Sequence, residues 1–343
     1  MKIEDAWNRD AATERAVRAA LTPLSWLYGS VVRLRNALYD VSMVSSVSAS
    51  VPVVSVGNLT VGGTGKTPVT AYLVHELLAM GHRPAVVMRG YGDDEPVLHE
   101  RLNPSATVYT GANRAQSIAR AEREGADVVV MDDAFQHRAA ARDLDIVLVS
   151  ADRWREGLRV LPSGPLREPL TSLDRADMVI VTRKSADVVA AASLVEALRR
   201  YVRPQTAIVT ATIMPVEITA FGRPATTPLL TLRGASVLAI AGVGDPVSFY
   251  NQLRALDARV TERRFRDHHA YNEQEAIGLA RESAGHKYVI TTEKDAIKLA
   301  SVWPVNAPEL WYLSQAVTLA EGSASVGAAL AELFVKRATS IVG

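Results

Sequence analysis

The segment Gly62-Gly63-Thr64-Gly65-Lys66-Thr67 constrains this chain more than any other, because the residues on both sides of it give the glycines a defined setting. Val51 to Val56 form a β-branched apolar run that ends at Gly57, and Pro68 to Met80 carries a helical pattern. Strand, glycine loop, helix is the order in which backbone N–H groups converge on phosphate oxygens at a helix N-terminus. On this reading Gly62, Gly63, Thr64 and Gly65 cradle the phosphates of a nucleotide. Lys66 contacts the β- and γ-phosphates, and the Thr67 hydroxyl ligates Mg²⁺. The run departs from the strict eight-residue P-loop pattern, since five positions before Gly65 stands Thr60, and Gly57 lies too early to substitute.

The rest of the chain supplies the sheet such a loop needs. Buried-type strands are predicted at Ala85 to Met88, Asp127 to Met131, Ile146 to Val149, Met178 to Val181 and Ala207 to Ala211, with a helix over Ala190 to Tyr201. That alternation predicts a mostly parallel α/β sheet with helices on both faces. The stretches Gly222-Arg223-Pro224 and Thr226-Thr227-Pro228 read as a turn-rich connection. Beyond it a second, smaller α/β pattern runs through a strand Val237 to Ala241, a Gly242-Val243-Gly244 turn and a helix Pro246 to Leu256. A capping-box pair, Asn272 and Glu275, then opens another helix before a strand Tyr288 to Thr291. The expected division is an N-terminal helical segment over 1–48, a nucleotide-binding domain over 49–213, and a connection with a smaller α/β domain over 214–343.

Chemistry beyond the glycine loop requires an acidic metal partner at the end of another buried strand. Val128-Val129-Val130-Met131-Asp132-Asp133 has that form. Either Asp132 or Asp133 is the metal ligand, and Asp132 is the natural choice. Arg114 and Arg167 are candidate clamps on phosphate, because guanidinium donors match phosphate oxygens in bidentate geometry.

At this point several blocks converge. Val54-Ser55-Val56-Gly57-Asn58-Leu59-Thr60 before the glycine loop, Arg89-Gly90-Tyr91-Gly92, and Asp132-Asp133-Ala134-Phe135-Gln136-His137 occur in one order with Leu161-Pro162-Ser163-Gly164-Pro165-Leu166-Arg167-Glu168 and Thr292-Glu293-Lys294-Asp295. Together they resemble the lipid A 4'-kinase family. The resemblance implies an ATP- and Mg²⁺-dependent kinase acting on the 4'-hydroxyl of a tetraacylated glucosamine disaccharide 1-phosphate at the cytoplasmic face of the bacterial inner membrane. It also implies roles that spacing does not supply. Asp94 in Asp94-Glu95-Pro96 is placed as the base near the attacking hydroxyl, with Asp93 standing where the family has glycine and a shorter segment after Gly92. His268 in Asp267-His268 orients or shares a proton with Asp94. Arg167 gains weight as a clamp, Glu168 helps hold Mg²⁺ or orients Arg167, and His137 lies near the nucleotide or the metal. Thr292-Glu293-Lys294-Asp295 is read as a cap and brace for a helix.

Composition excludes several classes. Lys+Arg 38 against Asp+Glu 37 leaves a formal charge of +1, so no global field is available to hold nucleic acid, and anions are bound locally. Cys is 0, which rules out disulfides and thiolate metal sites. Glu4, Asp5 and Asp10 precede any apolar run, the wrong order for a signal peptide, and no apolar stretch reaches the length of a membrane span. A soluble or peripheral protein is expected, without an obligatory protein partner. Thr22-Pro23 is predicted to open an amphipathic helix with Leu24, Leu27, Tyr28, Val31, Leu34 and Leu38 on one face and Arg33 and Arg35 nearby, a candidate for the bilayer interface. The alternative class is a P-loop switch ATPase or GTPase acting on protein partners. Val61 stands where such ATPases carry a lysine, and no guanine-reading Asn-Lys-x-Asp segment is present.

Overall fold

A computed structural model describes residue 7, residues 12–90, residue 92, residues 94–223 and residues 225–342. Tyr91, Asp93 and Pro224, and the acidic residues Glu4, Asp5 and Asp10, lie outside the described residues.

In order, the first half carries helix α1 (Ala12–Asp40), strand β1 (Val53–Asn58), α2 (Lys66–Ala79), β2 (Pro84–Met88), α3 (Asp94–Leu102), β3 (Thr107–Thr110), α4 (Arg114–Arg123), β4 (Val128–Met131), β5 (Leu144–Ser150), β6 (Met178–Arg183) and α5 (Val188–Leu198). A long strand β7 (Ala207–Ala220) and the short β8 (Thr226–Pro228) lead into β9 (Ser236–Ala241), α6 (Pro246–Ala255), β10 (Arg259–Arg264) and α7 (Glu273–Ser283). The chain ends with β11 (Tyr288–Thr292), α8 (Glu293–Ala300), β12 (Leu310–Glu321) and α9 (Ser323–Val342). The capping box at Asn272 and Glu275 is formed as expected.

The strands join one twelve-stranded sheet in the order β10-β9-β11-β12-β7-β6-β5-β1-β4-β2-β3, with β8 on β7. Pairing is parallel within each half, and only β7 with β12 and β7 with β8 run antiparallel. This is the mostly parallel α/β sheet that the alternation of patterns predicts. Chain order reverses beside β1, with β4, β2 and β3 on one side and β5 and β6 on the other, and a crevice opens at the carboxyl end of such a strand.

Strand β7 settles how the halves meet. Arg183, the last residue of β6, pairs with Thr212, whereas Thr292, the last residue of β11, pairs with Leu313, which pairs with Ile218. The carboxyl ends of the two parallel sets therefore point at each other across six residues of β7, about 20 Å at a strand's rise. The sequence pattern suggests a strand stopping at Ala211, yet β7 continues to Ala220, across the expected division after residue 213 and up to the turn-rich stretch. Pro215 is accommodated because the register shifts there: Gln315 faces Pro215 and Ser314 faces Glu217, leaving Val216 as the extra residue of a bulge.

The first half buries two faces of its sheet. Val54, Val56, Leu73, Val74, Val130 and Ile146 pack on one, and Phe135, Leu173, Val179 and Leu194 on the other. Helix α9 returns to the first of these, adding Val326, Leu330 and Leu333. The second half has its own cluster around Val237, Phe249, Tyr250, Leu253 and Ile290.

Helix α1 differs from expectation at its start. Pro23 lies inside the helix, not at its first turn, and the Thr22 hydroxyl donates to the Arg18 carbonyl one turn back at 2.9 Å. Its inward seam is small or polar, with Ser25, Gly29, Val32 and Asn36 buried, whereas Leu24, Trp26, Leu27, Val31 and Leu34 face outward, all more than half exposed.

Candidate active site

The loop after β1 turns at Gly65, whose φ of 85° is a left-handed value that glycine adopts without strain. Helix α2 then starts at Lys66, so the free N–H groups of its first turn face the crevice beside β1. From the other half, the turn after β9 reaches this loop: a Cβ on Gly244 would lie 2.8 Å from the Gly63 backbone nitrogen, so only glycine permits the approach. Arg153 donates to the Gly244 carbonyl at 2.9 Å and holds the two loops together.

Between the halves lies a cavity of about 960 Å³. Gly62, Gly63, Thr64, Gly65, Lys66, Thr67, Arg114, Asp132, Asp133, His137, Arg167 and His268 all line it. Asp94 and Glu168 do not.

At its centre, Asp133 gathers the cations. The Arg167 Nη1 donates to both carboxylate oxygens at 2.8 and 2.9 Å, and Lys66 Nζ stands 3.4 Å away while also donating to Asn58 at 3.3 Å. Burial works to raise the Asp133 carboxyl, but Lys66 and Arg167 outweigh it and hold it at about 2. Asp133 itself takes a left-handed φ of 49°, and its carbonyl accepts from Arg114 at 3.3 Å. Its neighbour Asp132 is buried. Burial works to raise its carboxyl too, and His99 and Lys66 bring it below the usual range. Beside them, His137 is pushed down to about 4 by burial and by the nearby Arg114, Arg142 and Arg89.

Two expectations need revision. Glu168 is not available to a metal, because its fully buried carboxylate accepts from Arg35 at 2.8 Å, Asn36 at 2.9 Å and Arg175 at 3.0 Å. It faces away from the cavity and anchors α1, a position that the adjoining Arg167 does not share because successive side chains point in different directions. The Asp94–His268 pair is not formed either. Asp94 is buried at the start of α3, with Lys294 and Lys298 of α8 at 3.8 and 3.9 Å from its Oδ2. His268 is 47% exposed at the cavity edge, on a backbone with φ of 54°.

Other cavity residues carried no site role in the sequence reading, although Gln136, Glu95 and Lys294 stand in its family blocks. Gln136 donates to the Asn58 carbonyl at 2.8 Å, Lys184 follows the end of β6, and Glu95, Asp245 and Lys294 come from three different loops or helix starts. The signal that finds Asn58 and Lys184 is their place at or just past the carboxyl end of a buried parallel strand. His99 has no such signal, since it sits mid-helix.

The family model for "Tetraacyldisaccharide-1-P 4'-kinase" matches residues 17–334. The chain is similar to the tetraacyldisaccharide 4'-kinase of Syntrophotalea carbinolica, 38% identical over 84% of this chain and 85% of that one. The enzyme of that name from Halorhodospira halophila is 35% identical over 91% of each. Among solved structures, LpxK from Aquifex aeolicus in complex with ATP superposes with a TM-score of 0.71 at 27% identity, over 93% of this chain and 99% of that one. With the match running from the outward-facing helix through both halves of the sheet, this chain belongs to the tetraacyldisaccharide 4'-kinase family.

Proposed function

We propose that this chain transfers the γ-phosphoryl group of ATP to the 4'-hydroxyl of a tetraacylated glucosamine disaccharide 1-phosphate, yielding the bisphosphorylated lipid A precursor and ADP. The observation that carries this reading is the convergence of Lys66 and Arg167 on Asp133 beside the glycine loop, in a chain that belongs to the family. Family membership does not favour the switch-ATPase alternative.

Phosphoryl transfer asks little covalent work of a protein and much positioning. Entering phosphates compete with Asp133 for Lys66 and Arg167. As those cations turn to the β- and γ-phosphates, the Asp133 carboxylate is released toward the same space. Thr67, Asp132 and Asp133 offer the hydroxyl and carboxylate oxygens that a hard cation prefers, so the site fits Mg²⁺, which takes one or two carboxylates and keeps several waters. Mg²⁺ held there would neutralise charge on the phosphate oxygens. The 4'-oxygen forms the new bond to phosphorus as the bond to the β-phosphate oxygen breaks, and the hydroxyl proton passes to Asp94 only once closure brings that carboxylate, buried outside the cavity in this structure, to the acceptor. Closure of the halves would bring Asp94 and His268 together and exclude water. Unchanged small-angle scattering on adding nucleotide and acceptor would count against closure.

Among the described residues no helix is long and apolar enough to cross a membrane. The outward stripe of α1, extended by the exposed Val41, Met43 and Val47, supports peripheral attachment to the cytoplasmic face of the inner membrane, where an acylated acceptor resides.

The test is transfer of labelled γ-phosphate from ATP to the tetraacylated disaccharide 1-phosphate in mixed micelles with Mg²⁺. Wild type is expected to label the lipid, and Lys66→Ala to fold normally and lose turnover about a hundredfold or more. ATP hydrolysis without labelled lipid would overturn the reading.

A further inference from the structure

Helix α3 begins with Asp94 and, five residues on, carries His99, which has no exposed surface. The His99 Nε2 lies 3.1 Å from the Asp132 Oδ2, and the other oxygen of that carboxylate, Oδ1, accepts from the Thr70 hydroxyl at 3.1 Å. Asn103, just past the end of α3, stands beside the ring. Its amide Nδ2 donates to the His99 carbonyl at 3.0 Å and faces the ring Nδ1 at 3.5 Å. The Asp132 carboxylate only accepts, so the Nε2 position is the donor in this contact.

A buried imidazole at this place needs an explanation, because the neighbours Leu98 and Leu102 show that apolar side chains suit this helix beside the cavity. Thr70 from α2 and His99 from α3 each take one oxygen of Asp132, so the carboxylate is fixed against rotation. Each oxygen keeps a further lone pair, and Asp132 lines the cavity with Lys66 and Thr67. Carboxylate ligands held this way by an outer partner lose affinity for a metal roughly 10- to 100-fold when that partner is removed.

We propose that His99 is a positioning residue for Asp132: it locks the carboxylate toward the divalent cation that accompanies the ATP phosphates. Through the same bond it ties the helix that begins at Asp94 to the strand end that carries Asp132. The inference rests on the reading that Asp132 faces the cation.

The test measures Mn²⁺ binding by electron paramagnetic resonance to the full chain with a non-hydrolysable ATP analogue, and binding of metal-free analogue in chelator. His99→Leu is expected to weaken Mn²⁺ about tenfold or more while metal-free nucleotide binding stays within about twofold. His99→Gln, whose amide nitrogen falls near the lost Nε2, is expected to recover most of the affinity. Wild-type Mn²⁺ affinity in a folded His99→Leu, or a folded His99→Gln as weak as His99→Leu, overturns the proposal. If His99→Leu does not fold, Asn103→Ala tests the same chain one link back, and unchanged Mn²⁺ affinity there overturns it. Asp132→Asn separates the two readings: wild-type affinity in that variant removes the premise that Asp132 faces the cation, and the role of His99 with it.

Discussion

Lys294, at the start of a helix in the second half, sets its ammonium 2.7 Å from the Glu95 carboxylate in the first, across 199 residues of sequence. The same ammonium lies 3.8 Å from Asp94, so one lysine spans the seam beside the proposed base. Lys294→Ala is expected to lower kcat about tenfold with a smaller change in KM for ATP, and to cost about 1–2 kcal/mol of stability, since the pair is only partly buried. Lys294→Arg should restore stability more than kcat. Steady-state kinetics and thermal denaturation of both variants check this, and an unchanged kcat would mean the pair is only a brace.

Glu168 gives the opposite expectation. Its carboxylate is buried against Arg35, Asn36 and Arg175, so Glu168→Ala strands cationic groups beneath α1 and is expected to cost about 3 kcal/mol. Mn²⁺ affinity with bound nucleotide should not change in the folded fraction. Denaturant titration and metal binding on the same preparation separate an anchor from a ligand.

Acid should weaken the fold in a window set by His137. Its folded value of about 4 lies below the ordinary 6.5, so the unfolded chain binds a proton that the folded chain refuses. Its contribution is therefore fully present above pH 6.5 and is lost as pH falls from 6.5 toward 4. His137→Gln is expected to flatten the pH dependence of the denaturation midpoint in that window. The Asp133 carboxylate titrates lower, with stability lost only as pH falls from 3.8 toward 2, so the two are resolved.

Leu27 and Leu34 are 65% and 61% exposed on α1. Leu27→Glu combined with Leu34→Glu is expected to leave the thermal midpoint within about two degrees. Removing apolar area worth about 1.5–3 kcal/mol per leucine should lower partition to anionic liposomes more than tenfold in a flotation assay. Retained flotation would point to another membrane-facing surface.

Much of the active site is legible locally because its parts are short and contiguous. Gly62 to Thr67 and the acidic pair Asp132-Asp133 each follow a buried strand, and a parallel sheet places such strand ends at one edge. Strands such as β10, Arg259-Val260-Thr261-Glu262-Arg263-Arg264, escape pattern reading because an edge strand with exposed charged residues shows no apolar alternation. Pro215 hides the length of β7 for a related reason: only its partner strand shows that a bulge absorbs it.

What the sequence determined by itself is the glycine loop between strand and helix, the acidic strand end and the α/β class, since each depends on residues within one or two elements. The direction of Glu168, the separation of Asp94 from His268, the seam at Lys294 and the bond from His99 to Asp132 were decided only by tertiary structure. In each case the partner lies tens to hundreds of residues away, and a side chain's role follows from which charge or hydrogen-bonding group the fold brings to it.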